Sequence, residues 1–215
     1  MTPSPSLLFL PDISGFTRFV HETALEHGQY IVSQLLQTLI NADELGMQVA
    51  EIEGDAVLFY LEGSVPPAGQ LLVQAEHMYG AFHGWITSYV RVCGCDCAAC
   101  QSVSQLTLKV IAHAGPLGFT QVRGQRKPFG ETVVVVHRLL KNSIPSHEYV
   151  VLTDALLLAA GAPELPEAAQ QGEAFYESVG QVGYAYLPLG TAAPVRRSSS
   201  AGVVASTGSG EVPTG

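Results

Sequence analysis

Cysteine is missing from almost the whole chain: of 215 residues, the four that occur lie together at Cys93, Cys95, Cys97 and Cys100. Four thiols so close read as a ligand cluster or a local disulfide knot rather than scattered core packing. Positive charge is scarce too, with ten Lys and Arg against 19 Asp and Glu, a net charge of −9 and a pI near 5.1. That balance argues against a general nucleic-acid binder. No apolar run approaches the roughly 20 residues of a membrane span, and the N-terminus lacks a basic stretch followed by an apolar one. The expectation is therefore a cytoplasmic protein with neither nucleic acid nor membrane as a partner, where disulfides are disfavoured. From Gly190 onward Ser, Gly, Thr, Ala and Pro dominate without apolar periodicity, so residues 190–215 are expected to form a disordered tail. Residues 1–189 are long enough for one domain with a full core.

Within that domain the apolar pattern alternates between short strands and amphipathic helices. Strands are expected over residues 6–10, 47–52, 56–61, 106–113, 119–122, 148–152, 174–179 and 184–189. Helices are expected over 16–27 with Gly28 as the breaker, 29–45, from Pro66 and Pro67 to 92, and 154–160. Residues 124–128 read as a turn. Residues 133–136 are four consecutive valines, which propensity alone makes a strand. Leu139, Leu140, Lys141 and Asn142 would instead continue residues 131–140 toward a helix stop, the alternative that the family resemblance given below implies.

Two stretches place an aspartate beside a glycine at the edge of an apolar run: Asp12-Ile13-Ser14-Gly15-Phe16-Thr17 and Gly54-Asp55-Ala56. Each alone is also consistent with a turn cap. If the adjoining runs pair in one sheet, the carboxylates converge, and such a pair suits a hard cation carrying phosphates. Residues 8–17 resemble the first metal-binding strand and turn of class III adenylyl and guanylyl cyclases. Glu51-Ile52-Glu53-Gly54-Asp55-Ala56 resembles their second metal site, and His113-Ala114-Gly115-Pro116 their His-x-Gly-Pro strand end. Phe129-Gly130-Glu131-Thr132-Val133, leading to Arg138, resembles their aromatic-Gly-Asp-Thr-Val helix entry. Closer still is an uncharacterised bacterial cyclase-like family with a Cys-rich insert, matched by His137-Arg138-Leu139-Leu140-Lys141-Asn142. The resemblance implies an α+β, ferredoxin-like nucleotide cyclase fold: a mostly antiparallel sheet with helices packed on one face, interrupted by a Cys-rich insert at 93–100.

It also implies roles. Asp12, Asp55 and the carbonyl of Ile13 would hold two Mg²⁺ or Mn²⁺ ions, and Ser14, Gly15, Phe16 and Thr17 would cradle phosphate. Glu51 and Lys127 fall at the base-reading positions. Glu51 is the residue type of guanylyl cyclases, whereas a cation at Lys127 matches neither recognition scheme. The transition-state pair, an Asn and an Arg four residues apart, is half present as Val134 and Arg138. The triphosphate-binding Lys is replaced by Gln181 in a looser alignment. The resemblance also implies a homodimer acting on a nucleoside triphosphate, with Arg138 of one chain reaching the metals of the other.

The insert has no counterpart in that pattern. Cys93, Cys95, Cys97 and Cys100 suit a four-thiolate Zn²⁺ site, shared between two subunits if one loop cannot wrap the ion, with an iron–sulfur cluster or redox-active thiols as alternatives. The spacing of His21, His27, His77 and His83 demands no metal. Three functions follow: a purine nucleotide cyclase forming a 3′,5′-cyclic product, a degenerate nucleotide- and Mg²⁺-binding regulator, or a metal- or redox-responsive regulator acting through the Cys cluster.

Overall fold

The computed structural model describes residues 4–95 and 97–191; the expected tail lies outside them from residue 192 on. The chain runs β1 (Ser6–Ser14), α1 (Phe16–Glu22), α2 (Leu25–Asn41), β2 (Gln48–Glu53), β3 (Ala56–Leu61), α3 (Ala68–Val92) and α4 (Ala98–Ser102). After a 3₁₀ turn at Val103–Gln105 come β4 (Thr107–Gly115), β5 (Gly118–Val122), β6 (Gln125–Phe129), α5 (Glu131–Leu139), β7 (Tyr149–Thr153), α6 (Asp154–Ala159), β8 (Gln170–Tyr176) and β9 (Gly180–Pro188). Seven strands form one sheet in the order β2-β3-β1-β4-β7-β9-β8, and β5 and β6 form a separate hairpin. Every pairing is antiparallel except β4 with β7. The α+β architecture is the one the sequence implied.

Alternation along the central strand β1 builds both faces of the sheet. Leu7, Phe9 and Ile13 point to one side and join Ile31, Leu35 and Leu39 of α2 and Leu71, Met78 and Phe82 of α3 in the larger core. Leu8 and Leu10 point to the other side, where α5 contributes Val135, Val136 and Leu139. Thus α1–α4 and α6 share one face, and α5 lies alone on the second. The valine run is helical because Val135 and Val136 sit beside Leu139 on one helix face, while Val134 turns outward at 42% exposure. Tertiary burial overrides the β preference of the individual residues.

Several boundaries differ from the sequence pattern for physical reasons. β1 does not stop at Leu10 but continues through Pro11 to Ser14. Pro11 has no N–H to donate, and the β1–β3 ladder is open there, between the Phe9–Phe59 and Asp12–Ala56 pairs. Toward β4 the register is unbroken from Ser6 to Ser14. Asp12 consequently sits in a strand and not on a turn. Gly28 does not break the helix; the break falls at Thr23 and Ala24, and Gly28 lies buried in α2. A Cβ there would meet Thr23 Oγ1 at 2.8 Å, so glycine permits the close approach. The expected turn at 124–128 is mostly strand β6, hydrogen-bonded back onto β5.

Candidate functional site

Asp12 and Asp55 come together where β1 meets the tip of the β2–β3 hairpin. Asp12 is opposite Ala56 in the ladder, and the Ile13 amide donates to the Asp55 carbonyl at 3.0 Å. Gly54 makes the tight hairpin turn with φ +65°, and Gly15 ends β1 with φ +87°, conformations that L side chains rarely adopt. Burial, reinforced by the Asp12 charge, pushes the Asp55 carboxyl up to about 6. Lys109, facing Asp12 from β4, places its Nζ 3.1 Å from Asp12 Oδ2 and also donates to the Leu140 carbonyl at 3.2 Å. One protein cation thus partly neutralises a pair of carboxylates that still repel each other.

Two residues beyond Asp12, Ser14 Oγ is buried with no hydrogen-bond partner among the described residues. An orphaned hydroxyl beside two crowded carboxylates suits a divalent cation with attached phosphate oxygens. Gly15 and Thr17 are exposed, Phe16 packs against the core, and α1 begins with the Phe16 and Thr17 amides. A cavity of about 240 Å³ opens beside Gly15, bounded by Arg18, Glu22, Gln105 and His147 among others.

Glu51 and Lys127, far apart in sequence, meet as an ion pair at 2.6 Å. The neighbouring Arg126 binds Glu62 through both guanidinium nitrogens at 2.6 and 2.7 Å and lies 3.4 Å above the centre of the Phe119 ring. The β5–β6 hairpin is thereby fastened to β2 and the end of β3. On α5, Val134 and Arg138 are both exposed, and His137 Nδ1 is 3.3 Å from Glu53 Oε2. Gln181 donates its amide to Glu173.

The four cysteines form a second centre, and it includes a residue that the sequence did not mark. His27 Nδ1 lies 3.1 Å from Cys97 Sγ. Cys97 Sγ is 3.5 Å and Cys93 Sγ 2.8 Å from Cys100 Sγ, and Tyr89 Oη is 3.3 Å from the same sulfur. The His27 hydrogen bond lowers the Cys97 thiol to about 6, while burial pushes Cys100 up to about 12. His27 was invisible to spacing arguments because it is 70 residues from Cys97 along the chain.

His113 ends up buried, its Nδ1 2.8 Å from Thr153 Oγ1. It borders a cavity of about 830 Å³ with Gly115, Glu131, Asp154 and Gln181, which neither Asp12 nor Asp55 lines. Thr153 Oγ1 also accepts the Leu156 amide as the cap of α6, so its proton is free to go to a neutral imidazole. Burial lowers the His113 pKa from 6.5 to about 4. A depressed histidine contributes stability above its unfolded pKa that is lost as pH falls from about 6.5 to 4, on the order of 3 kcal/mol for one fully buried group. Urea midpoints at pH 7 and pH 4.5 should therefore differ less in His113→Gln than in wild type. Equal pH dependence in both proteins would remove His113 as its source.

The sequence model of the family described as "Protein of unknown function (DUF2652)" matches residues 32–149, more than half of the chain and inclusive of Glu51, Asp55, the Cys insert and Arg138. The chain belongs to this DUF2652 family. A relative from Mycobacterium tuberculosis, the uncharacterized protein Rv2561/Rv2562, is 32% identical over 127 residues, and the match spans 58% of each chain. Among solved structures, the domain superposes on the guanylyl cyclase Cya2 with a TM-score of 0.60 at 14% identity, over 89% of this chain and 95% of that one. The adenylyl cyclase CyaB from P. aeruginosa gives 0.59 at 14% identity over 84% and 93%. The catalytic core of a rhodopsin-guanylyl cyclase in complex with ATPalphaS gives 0.58 at 14% over 86% and 96%. This DUF2652 protein has the fold of class III nucleotide cyclase catalytic domains. No helix among the described residues is long and apolar enough to cross a membrane.

Proposed function

We propose that this domain binds a purine nucleoside triphosphate with Mg²⁺ or Mn²⁺ at Asp12 and Asp55, and that cyclisation to a 3′,5′-cyclic nucleotide is slow or absent. The observation that carries the binding half is the placement of Asp12 opposite Ala56 with the Ile13 amide on the Asp55 carbonyl, which sets the two aspartates side by side; burial and then the Asp12 charge push the Asp55 carboxyl up to about 6. The Ile13 carbonyl is the proposed backbone ligand, and the orphaned Ser14 Oγ with the Gly15, Phe16 and Thr17 amides would receive phosphate oxygens. The bound cations would activate the ribose 3′-hydroxyl and neutralise the triphosphate.

Glu51 and Lys127 supply the base contacts. Standing 2.6 Å apart, they present an acceptor beside a donor. Guanine can give its N1 and N2 hydrogens to Glu51 and accept from Lys127 at O6. Adenine offers one amino donor and N1 as acceptor, so GTP is expected to bind more tightly than ATP. Lys127, which matched neither family scheme in the sequence, becomes usable through this pairing. Arg138 would serve the metal site of a second copy in a homodimer, while Val134 provides no hydrogen bond to the transition state. That missing donor favours a nucleotide-binding regulator over an efficient enzyme.

The test is calorimetric titration of the protein with each of the four ribonucleoside triphosphates in Mn²⁺, with products read by mass spectrometry. The expected result is metal-dependent purine binding, guanine first, with little or no cyclic product. Failure of all four to bind would overturn the proposal.

A further inference from the structure

The insert cysteines and His27 fulfil a need that the nucleotide site does not explain. The donor atoms of His27, Cys95, Cys97 and Cys100 all lie within 4.8 Å of one another. Zinc holds sulfur at ~2.3 Å and imidazole nitrogen at ~2.0–2.1 Å, so donors around one tetrahedral ion sit roughly 3.5–4 Å apart. The 3.1 Å His27–Cys97 and 3.5 Å Cys97–Cys100 separations are close to such edges. We propose that His27, Cys95, Cys97 and Cys100 form a single-chain Zn²⁺ site, with Cys93 held beside it as a hydrogen-bonding neighbour of Cys100.

This assignment replaces the four-thiolate set with three thiolates and an imidazole. Cys93 lies 2.8 Å from Cys100 Sγ and directs its thiol also toward the Cys95 carbonyl at 3.8 Å. That is the position of a group bonding to a ligand sulfur, as is the Tyr89 hydroxyl at 3.3 Å from it. One chain supplies all four donors, so no partner subunit is needed to complete the shell. A cluster of several irons would require its ligands farther apart, each on its own metal, so the compact set favours a mononuclear ion. Three thiolates at this spacing repel one another strongly unless a cation lies between them, and coordination by deprotonated thiols meets that requirement.

The site has a definite place in the fold. His27 is in the first turn of α2 and Cys100 is in α4, which packs against both α1 and α2. Ala99 and Val103 anchor the insert in the main core beneath. Zinc here would fasten the α1–α2 corner, which follows the Gly15 turn, to the far end of the long helix α3. The site stands or falls independently of nucleotide binding.

The experiment is metal analysis of the full chain purified without chelator, with Co²⁺ replacement followed by visible spectroscopy and circular dichroism as a folding control. Wild type should carry about one Zn²⁺ per chain, and its Co²⁺ form should show the strong absorption of tetrahedral thiolate ligation. Cys93→Ser should keep the metal. His27→Ala and Cys97→Ser each delete a ligand and should weaken it in chelator competition by more than the roughly 10–100-fold that loss of an outer-shell partner costs, and His27→Cys should restore it. Loss of metal in Cys93→Ser with retention in His27→Ala would overturn the assignment in favour of the four-thiol set. Absence of metal from wild type that also fails to take up Co²⁺ would overturn the site altogether.

Discussion

Asp55→Asn is expected to abolish Mn²⁺-dependent nucleotide binding and, in metal-free buffer at pH 7, to make the protein more stable than wild type. The two effects share one cause. Asp55 is raised from 3.8 to about 6 because it is desolvated and faces Asp12. For a carboxyl whose folded pKa lies above its unfolded value, the native state resists ionisation, so stability falls as pH rises from about 3.8 to 6 and stays reduced above that. Asp55 is half-buried, so solvent screening brings the penalty from the full shift down to about 1–2 kcal/mol. Asn keeps the shape and removes the repulsion. Asp12→Asn should stabilise less than Asp55→Asn, because it relieves the same repulsion but also removes the carboxylate 3.1 Å from half-buried Lys109, which keeps only the weaker attraction of Asp55. Urea midpoints and calorimetric nucleotide titrations of both variants decide the matter. Unchanged nucleotide affinity in Asp55→Asn would mean that the carboxylate pair is not the binding site, whatever happens to stability.

Local pattern and long-range geometry were legible to different degrees. The strands around Leu8 and Leu58 and the helices around Leu35 and Met78 follow from apolar spacing, because each buries one periodic face. The helical state of the valine run needed the cyclase resemblance, since its cause is the burial of Val135 and Val136 on a face that propensity cannot see. Strand β6 was hidden by Gln125, Arg126, Lys127 and Pro128, polar or turn-forming residues held in place by Glu62 and Glu51 across the gap. Pro11 ended β1 too early because its missing donor matters only if a partner strand requires it there. His27 had no local signal at all, being brought to the cysteines by the packing of α4 on α2. The order of the motifs, through the cyclase resemblance, thus gave access to the fold, while contacts between distant segments set the ion pairs and brought His27 to the cysteines.

Supplying the transition-state donor that the proposed cyclase site lacks should produce the largest change in rate: Val134→Asn is expected to raise cyclic nucleotide formation by ~10²–10³, the usual worth of one aimed hydrogen bond. Val134 is 42% exposed on the outer side of α5, so an amide there is solvated in the free protein and should cost little stability. It lies one helical turn before Arg138, on the same face, and so would present its side chain beside the guanidinium. Because the new contact forms only as charge develops, kcat should rise with KM nearly unchanged. Val134→Ala should give no gain, and Arg138→Ala introduced into the Val134→Asn protein should remove the gain. Product formation is measured with GTP and Mn²⁺ under conditions that saturate wild-type binding. A Val134→Asn protein that binds GTP normally yet makes no product would leave the domain a nucleotide-binding regulator whose geometry is unsuited to cyclisation. Rapid turnover by wild type would instead show that another group, with His137 on the same helix the first to replace, already performs the task assigned to the missing Asn.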